Sequence, residues 1–218
     1  MKFDLHVHSK HSKDSNSEPL DVIRRAESLG LDGIAFLDHN STGAYIESQK
    51  IETDLIIVPG EEISTPYGHI AQLGIKKSVG PRDSVAQAIK IIRKEGGIAV
   101  AVHPYRYWSG IGEKVFFENS WTAVEGLNGR TKKRENKKAR KLAEKAALPV
   151  VGGSDSHDVI TVGQAYTVLP DVSGWRGVIR EIKNGNTDVD GLDRTSFQTY
   201  SYVKKAVTEW IKRGFKRM

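Results

Sequence analysis

Seven histidines punctuate the chain, at positions 6, 8, 11, 39, 69, 103 and 157. Most stand at or beside the end of a short apolar run, in FDLHVH, IAFLDH, IAVAVHP and VVGGSDSH. Carboxylates take the same kind of place: Asp38 beside His39, Glu61 and Glu62 after LIIVPG, and Asp155 two residues before His157. His6 and His8 at the end of a strand share one side of the pleat, because residues i and i+2 face the same way. Asp155 and His157 repeat that spacing after Gly152 and Gly153, where missing side chains let a ligand or a backbone come close. Imidazole pairs with a carboxylate form a chelate for a borderline divalent metal, the carboxylate offsetting the ion's charge. A single His-x-His means little. Two i, i+2 pairs, with His39, Glu62, His69 and His103 also at strand boundaries, point to metal.

The elements that must carry these residues alternate. Apolar runs occur at Phe3–Leu5, Gly33–Leu37, Leu55–Val58, Ile70–Ile75, Ile98–Val102, Ala123–Leu127 and Pro149–Val151. Their Val, Ile, Leu and Ala content is that of strands buried on both faces of a parallel sheet. Between them lie helix signals. Ser17 is placed to cap a helix with Pro19 in its first turn, with Leu20, Ile23 and Ala26 on one face and Gly30 as the stop. Val85, Ala88, Ile89 and Ile92 recur at helical spacing before Gly96 and Gly97. Ala139, Leu142, Ala143, Ala146 and Ala147 do the same and put Lys133, Lys137 and Lys141 outside. A further helix is expected over Ser173–Asn184, ending at Gly185. Strand–helix alternation argues for an α/β class, either an open doubly wound sheet or a closed barrel. In a barrel the carboxyl ends of the strands share one rim, so residues far apart in sequence converge there. The expectation is one domain over residues 1–218, with 196–218 a basic terminal helix.

The 218 residues contain no cysteine, which excludes a disulfide framework, thiolate metal sites and a cysteine nucleophile. Apolar runs such as LIIVP are far too short for a membrane span, and MKFDLHVHS is not a signal peptide; a cytoplasmic protein is the expectation. The net charge of +6 is unevenly spread. Residues 130–145 hold nine basic residues against two acids, and 204–218 six against one, so the remainder of the chain is acidic. Such segments attract phosphate-bearing ligands or nucleic acid, or form solvated helix faces.

Taken in order, DLHVHS with Asp14 following, FLDH, PGEE, GHI, VHP and GSDSH resemble the motifs of the PHP (polymerase and histidinol phosphatase) domain. The resemblance runs from Phe3 to about Tyr166. It implies a distorted (β/α)7 barrel, two to three divalent ions (zinc, manganese or iron) and hydrolysis of phosphate esters. Position by position it implies nine ligands. His6, His8, Glu62 and Asp155 would hold one ion, and Asp14, His39 and His157 a second. Glu62, His69 and His103 would hold a third, with Glu62 bridging the first and the third. Some members carry histidine where this chain has Asp14, which favours a harder metal such as manganese at the second position. His11 is left over as a loop residue near enough to replace Asp14, and Glu61 is the alternative to Glu62.

Clustered divalent ions serve ester hydrolysis by acidifying water, neutralising phosphoryl oxygens and stabilising the leaving alkoxide. The chain has neither a GxSxG elbow nor a P-loop. The expected catalytic carboxylates are Glu62 and Asp155, flanking the hydroxide, with Asp38 orienting a ligand or assisting proton transfer. Arg106 and Arg130 are expected either to bind substrate phosphate or to form structural ion pairs. The aromatics between His103 and Trp121 are expected to pack their loop onto the barrel, with nucleobase stacking as the alternative. The substrate is then a nucleotide, an oligonucleotide end or another small phosphomonoester, histidinol phosphate included. Two further readings are a non-catalytic RNA-binding barrel of the ribonuclease P type and an amidohydrolase. The first normally loses the ligands that are all present here; the second usually ends in a lone Asp rather than Asp-x-His.

Overall fold

A ten-stranded mixed sheet curls into a nearly closed barrel, and the computed structural model describes residues 1–194 of the chain. The elements in order are β1 (Lys2–Val7), α1 (Pro19–Ser28), β2 (Gly33–Phe36), α2 (Gly43–Ser48), β3 (Ile56–Val58), β4 (Gly60–Thr65), β5 (Gly68–Leu73) and α3 (Val85–Lys94). Next come β6 (Ile98–Ala101), α4 (Gly112–Phe117), β7 (Ala123–Asn128), α5 (Lys133–Lys145), β8 (Val150–Gly153), β9 (Ala165–Val168), α6 (Gly174–Asn184) and β10 (Asp188–Gly191). The strands lie in the order β3-β2-β1-β9-β8-β7-β6-β5-β4, with β10 on β9. A parallel bridge between His39 and Glu62 draws the ends of β2 and β4 together. The expected terminal helix, 196–218, lies outside the described residues.

The sheet is not wholly parallel, as the apolar runs had implied. The pairs β1–β2, β2–β3, β6–β7 and β7–β8 are parallel, whereas β4–β5, β5–β6, β8–β9, β1–β9 and β9–β10 are antiparallel. Strand β4 (GEEIST) carries too many polar residues to read as a buried strand, yet Gly60 to Ile63 are buried. The α1 helix begins after Glu18 rather than Ser17, and Leu20 is exposed while Val22 takes the inner position. The α3 and α6 helices fall where their spacing predicts, and so does α5 except that it stops at Lys145, with Ala146 as its cap and Ala147 left-handed beyond it; α6 ends on Gly185 at φ 78°, a left-handed stop.

Side-chain alternation separates two faces of the wall. Ile34, Phe36 and Ile57 point outward beneath α1 and α2, and Ala99, Ala101 and Val124 outward beneath α3 and α5. Between them Leu5, Ala35, Leu37, Val100 and Val151 form the inner cluster, packed with Val178, Ile179 and Ile182 of α6. Two irregularities break this alternation. Against β2, three steps of β1 (Asp4 to Val7) match two of the partner; against β8, two steps of β7 (Glu125 to Leu127) match one. Each bulge inserts a residue and reverses the facing of the residues beyond it. Phe3 and Leu5 therefore join the apolar interior, while His6 and His8, of opposite parity, gather with the polar residues of the rim. Among the described residues no helix is long and apolar enough to cross a membrane.

Candidate metal centre

Nine side chains from six parts of the chain converge on the rim. His6 and His8 come from the end of β1, His39 from the loop after β2, Glu62 from β4 and His69 from β5. Asp14 follows β1 in a loop, His103 follows β6, and Asp155 and His157 follow β8. Four groups bring their ligand atoms within 4.8 Å of one another: His8, Asp14, His39 and His157; His6, Glu62 and His103; His6, His8 and Asp155; His39, Glu62 and His69. Glu62 stands at the middle. Its carboxylate lies 3.7 Å from His6, 3.3 Å from His8, 3.2 Å from His39, 3.0 Å from His69 and 2.9 Å from His103. Asp155 Oδ1 lies 3.5 Å from both His8 and His157, and Asp14 lies 2.8 Å from His157 and 3.6 Å from His39.

Strand parity assigns the neighbours that stay out. Glu61 faces the other way from Glu62, as adjacent strand residues must. Its carboxylate accepts from Ser78 Oγ and from the amides of Val79 and Gly80. His11 pairs with Glu47 at 2.8 Å and Lys10 with Glu18 at 2.6 Å, away from the nine. Asp38 is buried, but its carboxylate takes the amide and hydroxyl of Ser9 and touches no member of the cluster.

Three buried residues that spacing did not single out hold these side chains in place. Glu125 lies inside β7; one oxygen is 2.7 Å from His6 Nδ1 and the other accepts from the His103 amide at 2.7 Å and from Asn128 at 3.0 Å. Asp4 accepts from the amides of Ser154 and Gly163, both at 2.8 Å, tying β1 to the turn that bears Asp155. Ser12 Oγ meets His8 Nδ1 at 3.0 Å and accepts from the His39 amide at 2.9 Å. A charged residue inside an otherwise apolar strand, as in AVEGLN and FDLHVH, was the available signal.

Backbone geometry marks the same places. His103 (φ 29°) and Asp155 (φ 53°) are both left-handed, a conformation costly for any residue with a Cβ and concentrated at functional sites. Pro104 adds to the constraint on His103. Gly153 must be glycine for contact reasons: a Cβ there would collide with His6.

The electrostatics pull the donors apart. Burial, helped by the His157 ring, holds His8 well below the usual imidazole range, and burial together with Arg106 takes His103 down to about 4. Burial also opposes charging His6, but Glu125 and Asp155 outweigh it and raise its pKa well above the ordinary value. Burial is likewise overcome at His39, which the Asp14 hydrogen bond and the Glu62 charge raise to about 9. Glu62 and Asp155, despite burial, are held well below the carboxylate range, the first chiefly by His69 and the second chiefly by Arg106. Both carboxylates are thus anionic at neutral pH.

The donor set fits divalent ions. It offers imidazole nitrogen and carboxylate oxygen and no thiolate, the pattern of zinc, manganese and iron sites. The Nε2 atoms of His6 and His8 are 3.2 Å apart. Two ligands each about 2.1 Å from one ion at a tetrahedral angle stand roughly 3.4 Å apart. Buried Nδ1 of His39 has no aligned hydrogen-bond partner, although Glu62 is 3.2 Å away.

Arg106 Nη2 donates to Asp155 Oδ2 (2.6 Å), Asn128 Oδ1 (2.7 Å) and Thr131 Oγ1 (3.1 Å). Arg130 Nη1 donates to Asp155 Oδ1 at 3.3 Å and lies 2.7 Å from the His157 ring nitrogens. Of the aromatics beyond His103, Phe116 and Trp121 are buried and stacked at 5.8 Å, but Tyr107 and Trp108 are each 86% exposed. The expected packing holds for the first pair and fails for the second.

The chain resembles known proteins in sequence and in fold. A family model described as the PHP domain matches residues 4–102, and one described as PHP-associated matches 133–187. An uncharacterized protein of Methanocaldococcus jannaschii is 32% identical over 129 residues, which cover 53% of this chain and 75% of that protein. A two-domain Bacteroides vulgatus protein containing a predicted PHP-like metal-dependent phosphoesterase matches with TM-score 0.70 at 19% identity, over 88% of this chain and 64% of that one. The lesion-specific endonuclease PfuEndoQ from Pyrococcus furiosus matches with TM-score 0.67 at 14% identity, over 88% and 59%. The chain spans less than two thirds of each of these two solved proteins, and the likeness to them is one of fold.

Proposed function

Since the chain belongs to the PHP domain family, we propose that it is a metal-dependent phosphoesterase, hydrolysing a nucleotide, an oligonucleotide end or another small phosphomonoester with two to three divalent ions. The observation that carries this is the convergence of nine nitrogen and oxygen donors around Glu62. The ligands are His6, His8, Asp14, His39, Glu62, His69, His103, Asp155 and His157. Ions of zinc, manganese or iron held there would supply Lewis-acid charge on the phosphoryl oxygens and bring the pKa of a water toward neutrality.

The chain's own residues do the rest. Glu62 and Asp155 stay anionic at neutral pH and keep the neighbouring imidazoles oriented toward one centre. Arg106, held by Asn128, Thr131 and Asp155, fixes the Asp155 carboxylate. Arg130 lies beside His157, and its guanidinium is the group to take a non-reacting phosphoryl oxygen. Asp38 acts through Ser9, steadying the loop that bears Ser12 and so His8.

The test is elemental analysis of protein purified without chelator, together with manganese-dependent phosphate release from an aryl phosphate. Two to three ions per chain with turnover support the proposal. His8→Ala or Asp155→Ala is expected to abolish turnover in a folded protein; retained activity would overturn the assignment.

A further inference from the structure

Helix α5 departs from the rim with an arrangement that helix stability does not favour. Lys132, Lys133 and Arg134 stand at its N-terminus, where the helix dipole is already positive and a cation is disfavoured. Lys132 caps it with no side-chain hydrogen bond to offset this. Eight cations between Lys132 and Lys145 are exposed. One of them, Lys145, pairs with a carboxylate among the described residues, Glu113 at 2.9 Å. A solvated face built for stability alternates charge; this one leaves its charge uncompensated. Lys133, Lys137 and Lys141 recur every four residues, about 6 Å apart along one line of the helix.

Aromatic residues flank the same helix. Lys138 lies over the Tyr105 ring at 5.5 Å and Lys145 over Phe117 at 4.7 Å, which sets α5 beside the segment that follows His103. Within that segment Tyr107 and Trp108 meet edge-on, ring centres 4.7 Å apart, with 86% of each exposed. They do not stand on a loose tip. Arg106 donates its amide to His103, Gly110 to Arg106, Gly112 to Pro104, and His69 to Ser109, and Gly68 gives the loop room, since a Cβ there would meet its backbone. The rings are presented to solvent by a tied segment whose two anchors, His69 and His103, belong to the metal centre.

A line of cations with no carboxylate partner among the described residues, on a helix set against the segment that carries two exposed planar rings, is the chemistry of single-strand recognition, charge for the backbone and stacking for bases. We propose that the α5 ridge and the Tyr107–Trp108 pair dock single-stranded nucleic acid and lead its phosphates to the rim. The docking surface specifies the substrate class of the phosphoesterase site and in that respect rests on the reading above; binding itself does not.

The experiment is fluorescence anisotropy of the full chain with a labelled 20-nucleotide single strand, DNA in one arm and RNA in the other, across a salt series. A duplex and inorganic polyphosphate serve as competitors. Aryl phosphate hydrolysis is measured on every variant. Trp108→Ala is expected to weaken single-strand binding about five-fold or more. Lys133→Ala/Lys137→Ala/Lys141→Ala is expected to lower the salt slope by about 2, at about 0.7 per lost phosphate contact. Both variants should hydrolyse aryl phosphate like the wild type. Binding by one arm alone names the sugar. Unchanged affinity in both variants, or competition by polyphosphate equal to the single strand with no effect of Trp108→Ala, would overturn the proposal. Loss of aryl phosphate hydrolysis in the wild type would instead count against the phosphoesterase reading.

Discussion

Replacing Glu125 with Gln should damage the metal centre without touching any ligand. Both carboxylate oxygens act as acceptors: one faces His6 Nδ1 at 2.7 Å, the other takes the His103 amide at 2.7 Å and Asn128 at 3.0 Å. An amide has one accepting oxygen. If its NH2 turns to His6, Nδ1 must accept, the proton moves to Nε2, and the lone pair aimed at the rim is lost. If the NH2 turns to His103 and Asn128, it faces two donors in a site from which water is excluded. An unsatisfied buried donor costs about 1–3 kcal/mol, and loss of the group behind a ligating imidazole lowers metal affinity about 10- to 100-fold. Competition of manganese or zinc against a fluorescent chelator, run beside thermal melts in EDTA, separates the two costs. Affinity and melting temperature both within error of the wild type would refute the reasoning.

Other outcomes rest on the same geometry. Because His39 has a pKa raised to about 9 in the ion-free cluster, its stabilising contribution is complete below about 6.5 and is lost as pH rises through 9. An ion competing with that proton gains affinity with rising pH, about tenfold per unit, and releases a proton measurable by calorimetry in two buffers; pH-independent binding would contradict it. Gly153→Ala forces a Cβ into His6 and should cost about 1–3 kcal/mol in a melt and reduce the bound metal; full metal content would show that β8 gives way easily. Adding metal at about a hundredfold over its Kd should stabilise the fold by about 2.7 kcal/mol, a rise of several degrees by calorimetry, and EDTA should reverse it.

The residues that gather at the rim are more legible in the sequence than the frame that aims them. His6, His8 and the Asp155–His157 pair declare themselves by type and spacing, and α3, α5 and α6 by periodicity. The two bulges leave no such trace. Leu5 and His6 are neighbours on one strand, and only a one-residue slip against β2 shows that both belong to the inner side. Strand β4 is hidden because GEEIST is polar, with Glu61 satisfied by Ser78 and Glu62 by His103, both beyond the hairpin. Glu125 carries a weaker signal, a lone acid in an apolar run, whose meaning depends on partners far away in sequence, His6 and His103. Trp108 illustrates the opposite difficulty: composition favours burial of indole, and tertiary placement alone puts it in water.

The barrel's seam carries a consequence of its own. Between β2 and β4 the wall is joined by the amides of Glu62 and Asn40, bonded to Asp38 and back to Glu62, and by the Asn40 side chain, which exchanges two hydrogen bonds with Ser64. His39 stands on one bank and Glu62 and His69 on the other. An ion gripped by all three would act as a clasp across this seam, so its departure would loosen the wall as well as remove a reagent. Hydrogen exchange at the Asn40 and Glu62 amides would then act as a gauge of metal occupancy, quickening first when the clasp is removed.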